Sequence, residues 1–97
     1  YTEGKSVIRK AAICGGSGRS LVNNAIRANV DCYITGDIDH HTALEAKDKG
    51  LALIIVPHYD SEKCFQTILA KEIENFIQND EIEILEYPNS TNPFIIY

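Results

Sequence analysis

The order of apolar runs and helical patterns in this chain predicts an α/β fold with a mainly parallel sheet in βαβαβαβ order. Three observations carry that prediction. Short β-branched runs alternate with stretches of helical period, glycine or capping residues separate them, and residues 51–56 (Leu-Ala-Leu-Ile-Ile-Val) are apolar on both faces. With 97 residues, 44% hydrophobic and 24% charged, the chain has the length and balance of a single domain over residues 1–97.

Residues 7–14 read as the first strand, running into the sharp turn Gly15-Gly16-Ser17-Gly18. Leu21, Val22, Ala25, Ile26 and Val30 then recur at helical spacing, with Ser17 or Ser20 as the capping residue. Cys32-Tyr33-Ile34-Thr35 is a short strand closed by Gly36-Asp37. A second helix spans residues 39–49, with Ala43, Leu44 and Ala46 inward and Gly50 as its stop. Residues 51–56 form the strongest strand and are expected at the centre of the sheet, among its most buried residues.

A third helix carries Cys64, Phe65, Ile68, Leu69, Ile73, Phe76 and Ile77 as one stripe, capped by Asp60 or Ser61. Residues 82–87 mostly alternate and are expected as a half-exposed edge strand. The tail from Pro88 has no period. Its Pro93-Phe94-Ile95-Ile96-Tyr97 end is apolar enough to be expected against the domain or a neighbouring subunit.

The formal charge is −5, from 14 acidic and 9 basic side chains, which argues against a nucleic-acid platform. No apolar run approaches the roughly 20 residues of a membrane span. The three cysteines, Cys14, Cys32 and Cys64, are odd in number, widely spaced, and set in or beside apolar runs. They read as free, buried thiols in a reducing, cytoplasmic setting. The absence of methionine and the first residue, Tyr1, read as a piece of a longer polypeptide.

With the first three strands parallel, their C-terminal ends share one edge of the sheet, where ligand sites of open α/β sheets form. All three histidines fall there: His40 and His41 after the second strand, His58 after the third. His58 and Glu62 are four apart at a helix start, so both can face one way. Imidazole and carboxylate suit zinc, iron or manganese. The same pair also suits a plain helix start, with Glu62 favoured by the helix dipole. His40 and His41 point about 100° apart on a helix and do not readily share an ion. Asp37 can accept a hydrogen bond from an imidazole and orient it, or serve the turn alone. The Gly15 to Gly18 loop has the look of a phosphate cradle, and equally of a tight strand-to-helix turn. No spacing supports a nucleophilic Cys-His or Ser-His pair.

Together, four motifs resemble the C-terminal half of the Nif-three-like dinuclear-metal family, some of whose members are known as type-two GTP cyclohydrolase I. They are Ala12-Ile13-Cys14-Gly15-Gly16-Ser17-Gly18, Tyr33-Ile34-Thr35-Gly36-Asp37-Ile38 with His41 and Ala43, His58-Tyr59-Asp60-Ser61-Glu62, and Thr91-Asn92-Pro93-Phe94. The resemblance implies a two-lobed α/β protein in a ring-like homo-oligomer. It implies His58 and Glu62 as metal ligands, with His41 and Asp37 near the site. The family's His-His pair and Asp belong to the other half, and two divalent ions occupy each complete site. Pro57 stands where the family usually has glycine. The activity implied is a metal-dependent hydrolase or GTP cyclohydrolase-like reaction on a nucleotide or phosphoester. The alternative is a non-catalytic, metal-binding regulatory or scaffold protein acting through oligomer contacts.

Overall fold

Three strands form a parallel sheet in the computed structural model, which describes residues 1–4, 6–77 and 82–95. They are β1 (Ala11–Cys14), β2 (Cys32–Thr35) and β3 (Ala52–Ile55), in the spatial order β1-β2-β3. The helices are α1 (Val22–Arg27), entered through a 3₁₀ turn at Arg19–Leu21, α2 (His40–Asp48), α3 (His58–Glu62) and α4 (Phe65–Phe76). Two compact units divide the chain, Tyr1–Glu62 and Lys63–Tyr97. The sheet lies wholly in the first.

Register explains the core. Ala12, Tyr33 and Leu53 lie side by side across the strands and so share one face. On that face they meet Val22 and Ala25 of α1, Ala46 of α2, and Val30 and Leu51 from the turns that follow those helices. Ile13, Ile34 and Ile54 line up on the opposite face, where Ile13 is 77% exposed while Leu53 is 0% exposed. Both crossover helices therefore cover the same side, as successive right-handed crossovers in one direction require.

The first two helices stop by the same device. After α1, Asn29 adopts φ 52°, the Val30 amide donates to the Ala25 carbonyl at 3.3 Å and the Asn29 amide to Ile26 at 3.0 Å. After α2, Gly50 adopts φ 73°, and the Leu51 and Gly50 amides donate to Ala46 and Lys47, each at 2.9 Å. These are left-handed caps, and each delivers its following apolar residue into the core against the helix it ends. Asp31 fixes the start of β2: one carboxylate oxygen accepts the amides of Arg9 and Lys10, both at 3.0 Å.

Several expectations need correction. β2, not β3, is the central strand, and Ile54 and Ile55 are exposed. Apolar residues on both faces ask for cover on both sides; they do not select a central position. β3 instead has an antiparallel bridge from Thr2, whose amide donates to the Leu53 carbonyl at 2.9 Å. Residues 82–87 form no strand. Alternation makes a strand only with a partner to pair, and the described part of the second unit contains no strand at all.

The third helical pattern is split, with α3 ending at Glu62 and α4 capped at Cys64 without a side-chain bond, so neither Asp60 nor Ser61 is its cap. The apolar stripe of α4 is open: Phe65, Ile68, Leu69, Ile73 and Phe76 are all exposed, and Ala70 is its buried residue. Leu44 is likewise exposed, and neither Ser17 nor Ser20 caps α1. Cys32 is buried and Cys14 half-buried, but Cys64 is exposed. Phe94 and Ile95 are exposed rather than packed on this chain, while Ile96 and Tyr97 lie outside the described residues. No described helix is long and apolar enough to cross a membrane.

Candidate functional site

The turns after the three strands converge on the C-terminal edge of the sheet, and backbone bonds lock the first to the second. The Gly36 amide donates to the Gly16 carbonyl at 2.8 Å, and the buried Thr35 hydroxyl donates to the same oxygen at 3.3 Å. Tyr33, buried in β2, donates its hydroxyl to the Gly18 carbonyl at 3.0 Å. Burial first, and Cys14 beside it second, push the Tyr33 phenol above its ordinary range. A Cβ on Gly18 would run into the Tyr33 and Thr35 side-chain oxygens, so glycine is required for that approach. The first turn is thus a clasp on β2.

The third turn presents the histidine. The Pro57 carbonyl accepts the Ser61 amide at 3.0 Å, which starts α3, and the Ser61 hydroxyl donates to the His58 carbonyl at 2.8 Å. One helical turn then sets His58 and Glu62 on the same side. His58 Nε2 is 3.1 Å from Glu62 Oε2, and its Nδ1 is 2.9 Å from Asp37 Oδ2. Pro57 itself lies just before α3. The hydrogen bond with Asp37, then the charge of Glu62, hold the His58 pKa above its usual value.

Gly16 completes the surroundings. Its φ is +64°, and a Cβ there would lie 2.8 Å from Glu62 Oε1 and 3.3 Å from His58 Nε2. The space beside the donor atoms exists because this residue has no side chain. An imidazole nitrogen and a carboxylate oxygen, adjacent and half-exposed, are a donor set that fits a divalent transition metal.

Of the sequence-expected residues, the fold brings His58, Glu62 and Asp37 together. His41, on α2, stacks edge-to-face with His40, ring centroids 6.0 Å apart. Among the described residues, no three His, Cys, Asp or Glu side chains form a group that could hold an ion.

The sequence reading missed Asp39 and Arg19. Asp39 caps α2, accepting from the Thr42 amide at 3.1 Å and its hydroxyl at 2.6 Å, and Arg19 Nε approaches it at 2.8 Å. The Thr42 hydroxyl, then its amide, bring the Asp39 carboxyl down to about 2. The Asp-x-x-Thr spacing signals the cap. Nothing in the spacing signals Arg19.

Comparison with known proteins identifies the fold and the family. A family model described as Duf34/NIF3 (NGG1p interacting factor 3) matches residues 1–93. A Campylobacter jejuni protein named GTP cyclohydrolase 1 type 2 homolog is 37% identical over 91 residues, 94% of this chain and 34% of that protein. A Streptococcus pneumoniae protein of the same name is 39% identical over 89 residues, 90% of this chain and 33% of its own length. The chain therefore spans about a third of the length of these relatives. Among solved structures, a Staphylococcus aureus protein superposes with a TM-score of 0.72 at 33% identity, covering 98% of this chain and 32% of that one. A Bacillus cereus protein related to NIF3 gives a TM-score of 0.69 at 29% identity, covering 93% and 25%. With the family model matching residues 1–93 and solved relatives sharing the fold, the chain belongs to the DUF34/NIF3 family.

Proposed function

We propose that the Tyr1–Glu62 unit supplies part of a divalent-metal site in a metal-dependent hydrolase, with His58 and Glu62 as ligands and Asp37 orienting His58. The single observation that carries this reading is one imidazole facing a carboxylate at each nitrogen. When Nδ1–H donates to Asp37, Nε2 turns a lone pair toward the Glu62 oxygen. Two such atoms at 3.1 Å repel unless a cation stands with them, either a proton or a metal ion. Asp37 thereby selects the tautomer that a metal needs.

Zinc, iron or manganese match these donors. A catalytic zinc ordinarily takes about three protein ligands, so the remaining ligands belong to chain beyond these 97 residues, in a site of two ions. Relatives about three times as long leave room for them. When bound, such ions polarise a substrate oxygen and lower the pKa of bound water. The relatives' names extend this to a GTP cyclohydrolase-like reaction on a nucleotide or phosphoester. The open stripe of α4 supports assembly into a homo-oligomer, ring-like by family resemblance, and free cysteines suit a cytoplasmic setting. That stripe also favours the second reading, a non-catalytic metal-binding scaffold whose contacts are its function.

Calorimetric titration of zinc and manganese into the chain tests the ligand assignment. A weak binding event lost in both His58→Ala and Glu62→Ala is expected; binding undiminished in both would remove them as ligands. A panel of nucleotides and phosphoesters with metal-loaded, family-length protein separates hydrolase from scaffold. Turnover abolished by His58→Ala identifies the first, and full metal loading without turnover the second.

A further inference from the structure

Beside the His58 pair lies an open cleft of about 410 Å³, lined by Ser17, Arg19, Asp37, Ile38, Asp39 and Ile55. Small-ligand sites run from roughly 300 to 1,000 Å³ and combine apolar walls with a few placed polar groups. Here Ile38 and Ile55 are the apolar part, and Ser17 and Arg19 are donors from the turn after β1.

Both carboxylates in the wall are already matched. Asp37 faces His58 Nδ1 at 2.9 Å, and Asp39 takes the Thr42 amide, the Thr42 hydroxyl and Arg19 Nε. Arg19 meets Asp39 through Nε, and its side chain is 67% exposed. Its terminal N–H groups make no hydrogen bond to the described residues. Asp39, itself pinned by Thr42, therefore holds the guanidinium at the cleft while leaving its outer donors for something else.

We infer that this cleft binds a phosphorylated small molecule, with Arg19 reading the phosphate and Ile38 and Ile55 receiving the organic part. A guanidinium fork matches phosphate oxygens two at a time, and a fork held in advance loses less entropy on binding. The Ser17 hydroxyl, which donates to the Asp37 carbonyl at 3.4 Å, lies at the same wall. Asp37 belongs both to the cleft and to the His58 pair, which sets a bound phosphate next to the candidate ligands. The inference rests on the metal-site reading for what that phosphate meets; binding through Arg19 does not require the ion.

The test is ¹⁵N NMR on the metal-free chain, following Arg19 Nε–H during titration with phenyl phosphate and, separately, acetate. Saturable shifts of Arg19 Nε–H and of the Ser17 and Ile38 amides are expected, with phenyl phosphate bound about tenfold more tightly than acetate. Arg19→Gln should weaken it about tenfold, and Arg19→Lys, which keeps the charge but not the fork, should also weaken it. An absent saturable shift, an equal response to acetate, or undiminished binding in both variants would overturn the assignment. His58→Ala should retain phenyl phosphate binding, and Arg19→Gln should retain whatever zinc binding depends on His58. A chain that binds phenyl phosphate through Arg19 yet shows no His58-dependent zinc binding refutes the metal reading alone. Binding abolished by His58→Ala but preserved in Arg19→Gln refutes the Arg19 assignment alone.

Discussion

His58 Nδ1 lies 2.9 Å from Asp37 Oδ2, across 21 residues of sequence. That bond joins the turn after β2 to the helix after β3, so neighbouring strands of a parallel sheet set the orientation of one imidazole. Sequence-local helix geometry then supplies the second contact, Glu62. The two contacts have different origins and are separable by mutation.

The first prediction concerns the charge on His58. Its pKa is raised, chiefly by the Asp37 hydrogen bond and next by Glu62. A raised pKa means that protonation favours the folded state. This contribution is full below the unfolded value near 6.5 and disappears as pH rises through the folded value. Imidazole NMR titration of the metal-free chain should place His58 above 6.5, with Asp37→Asn lowering it more than Glu62→Gln. A titration at or below 6.5 in the unaltered chain would contradict the double-carboxylate geometry. Metal competes for the proton at Nε2, so zinc binding should tighten as pH rises through the same range.

Gly16 is the second case. Alanine there combines a left-handed backbone with a Cβ 2.8 Å from Glu62 Oε1. The carboxylate can swing aside, so the lasting penalty is the backbone, about 1 kcal/mol. Gly16→Ala should lower the unfolding free energy by that amount, and it should also lower the His58 pKa as Glu62 is displaced. Loss of stability without any change at His58 would show that Gly16 serves the turn and not the pair.

How much of this was readable beforehand follows from which interactions are local. The strand-helix alternation through β3, its three strands, the Gly50 stop and the His58–Glu62 pairing all rest on spacing within a few residues, and each appears, whereas the fourth expected strand at residues 82–87 does not. Position in the sheet does not. Residues 51–56 carry the same side chains whether central or at the edge, and strand order depends on crossovers that no single run encodes. Likewise, the pattern of α4 states that an apolar stripe exists but not what covers it, and Phe65 and Phe76 stand exposed. At the site, Asp37 could be suggested but Arg19 could not. Its partner Asp39 lies beyond the whole of α1 and β2, and a guanidinium has no preferred sequence offset for such a pairing.

Asp39 yields an acid-side prediction. Its carboxyl is lowered from 3.8 to about 2 by the Thr42 hydroxyl first and the Thr42 amide next. A lowered pKa stabilises the fold above 3.8, and the contribution is lost as pH falls through about 2. Asp39→Ala should lower the Tm at neutral pH by about 4 °C through loss of the cap, whereas Asp39→Asn, still a cap acceptor, should keep most of it. The Asp39→Ala chain should also show a weaker decline in Tm between pH 4 and pH 2 than the unaltered chain. Parallel pH profiles would mean that Asp39 does not carry that part of the acid sensitivity.

The two faces of the sheet give the last prediction, through two positions of like size on its outer strands. Leu53 is 0% exposed on the helix-covered face, surrounded by side chains of α1 and α2 and the residues that follow them. Ile13 projects from the opposite face and is 77% exposed. Leu53→Ala removes buried methyl groups and leaves a cavity, costing about 3 kcal/mol. For so small a unit that is a large share of total stability, typically on the order of 5 kcal/mol at the lower end, and the chain should lose its cooperative transition or most of its Tm. Ile13→Ala removes surface that water already reaches and should change stability by less than about 0.5 kcal/mol. Urea denaturation of the two variants decides between one covered face and two. If Ile13→Ala proves as damaging as Leu53→Ala, the isoleucine face is buried in solution, by a second copy or by another part of the chain. A dependence of the Ile13→Ala penalty on protein concentration would then identify the second copy, since only association makes stability concentration-dependent.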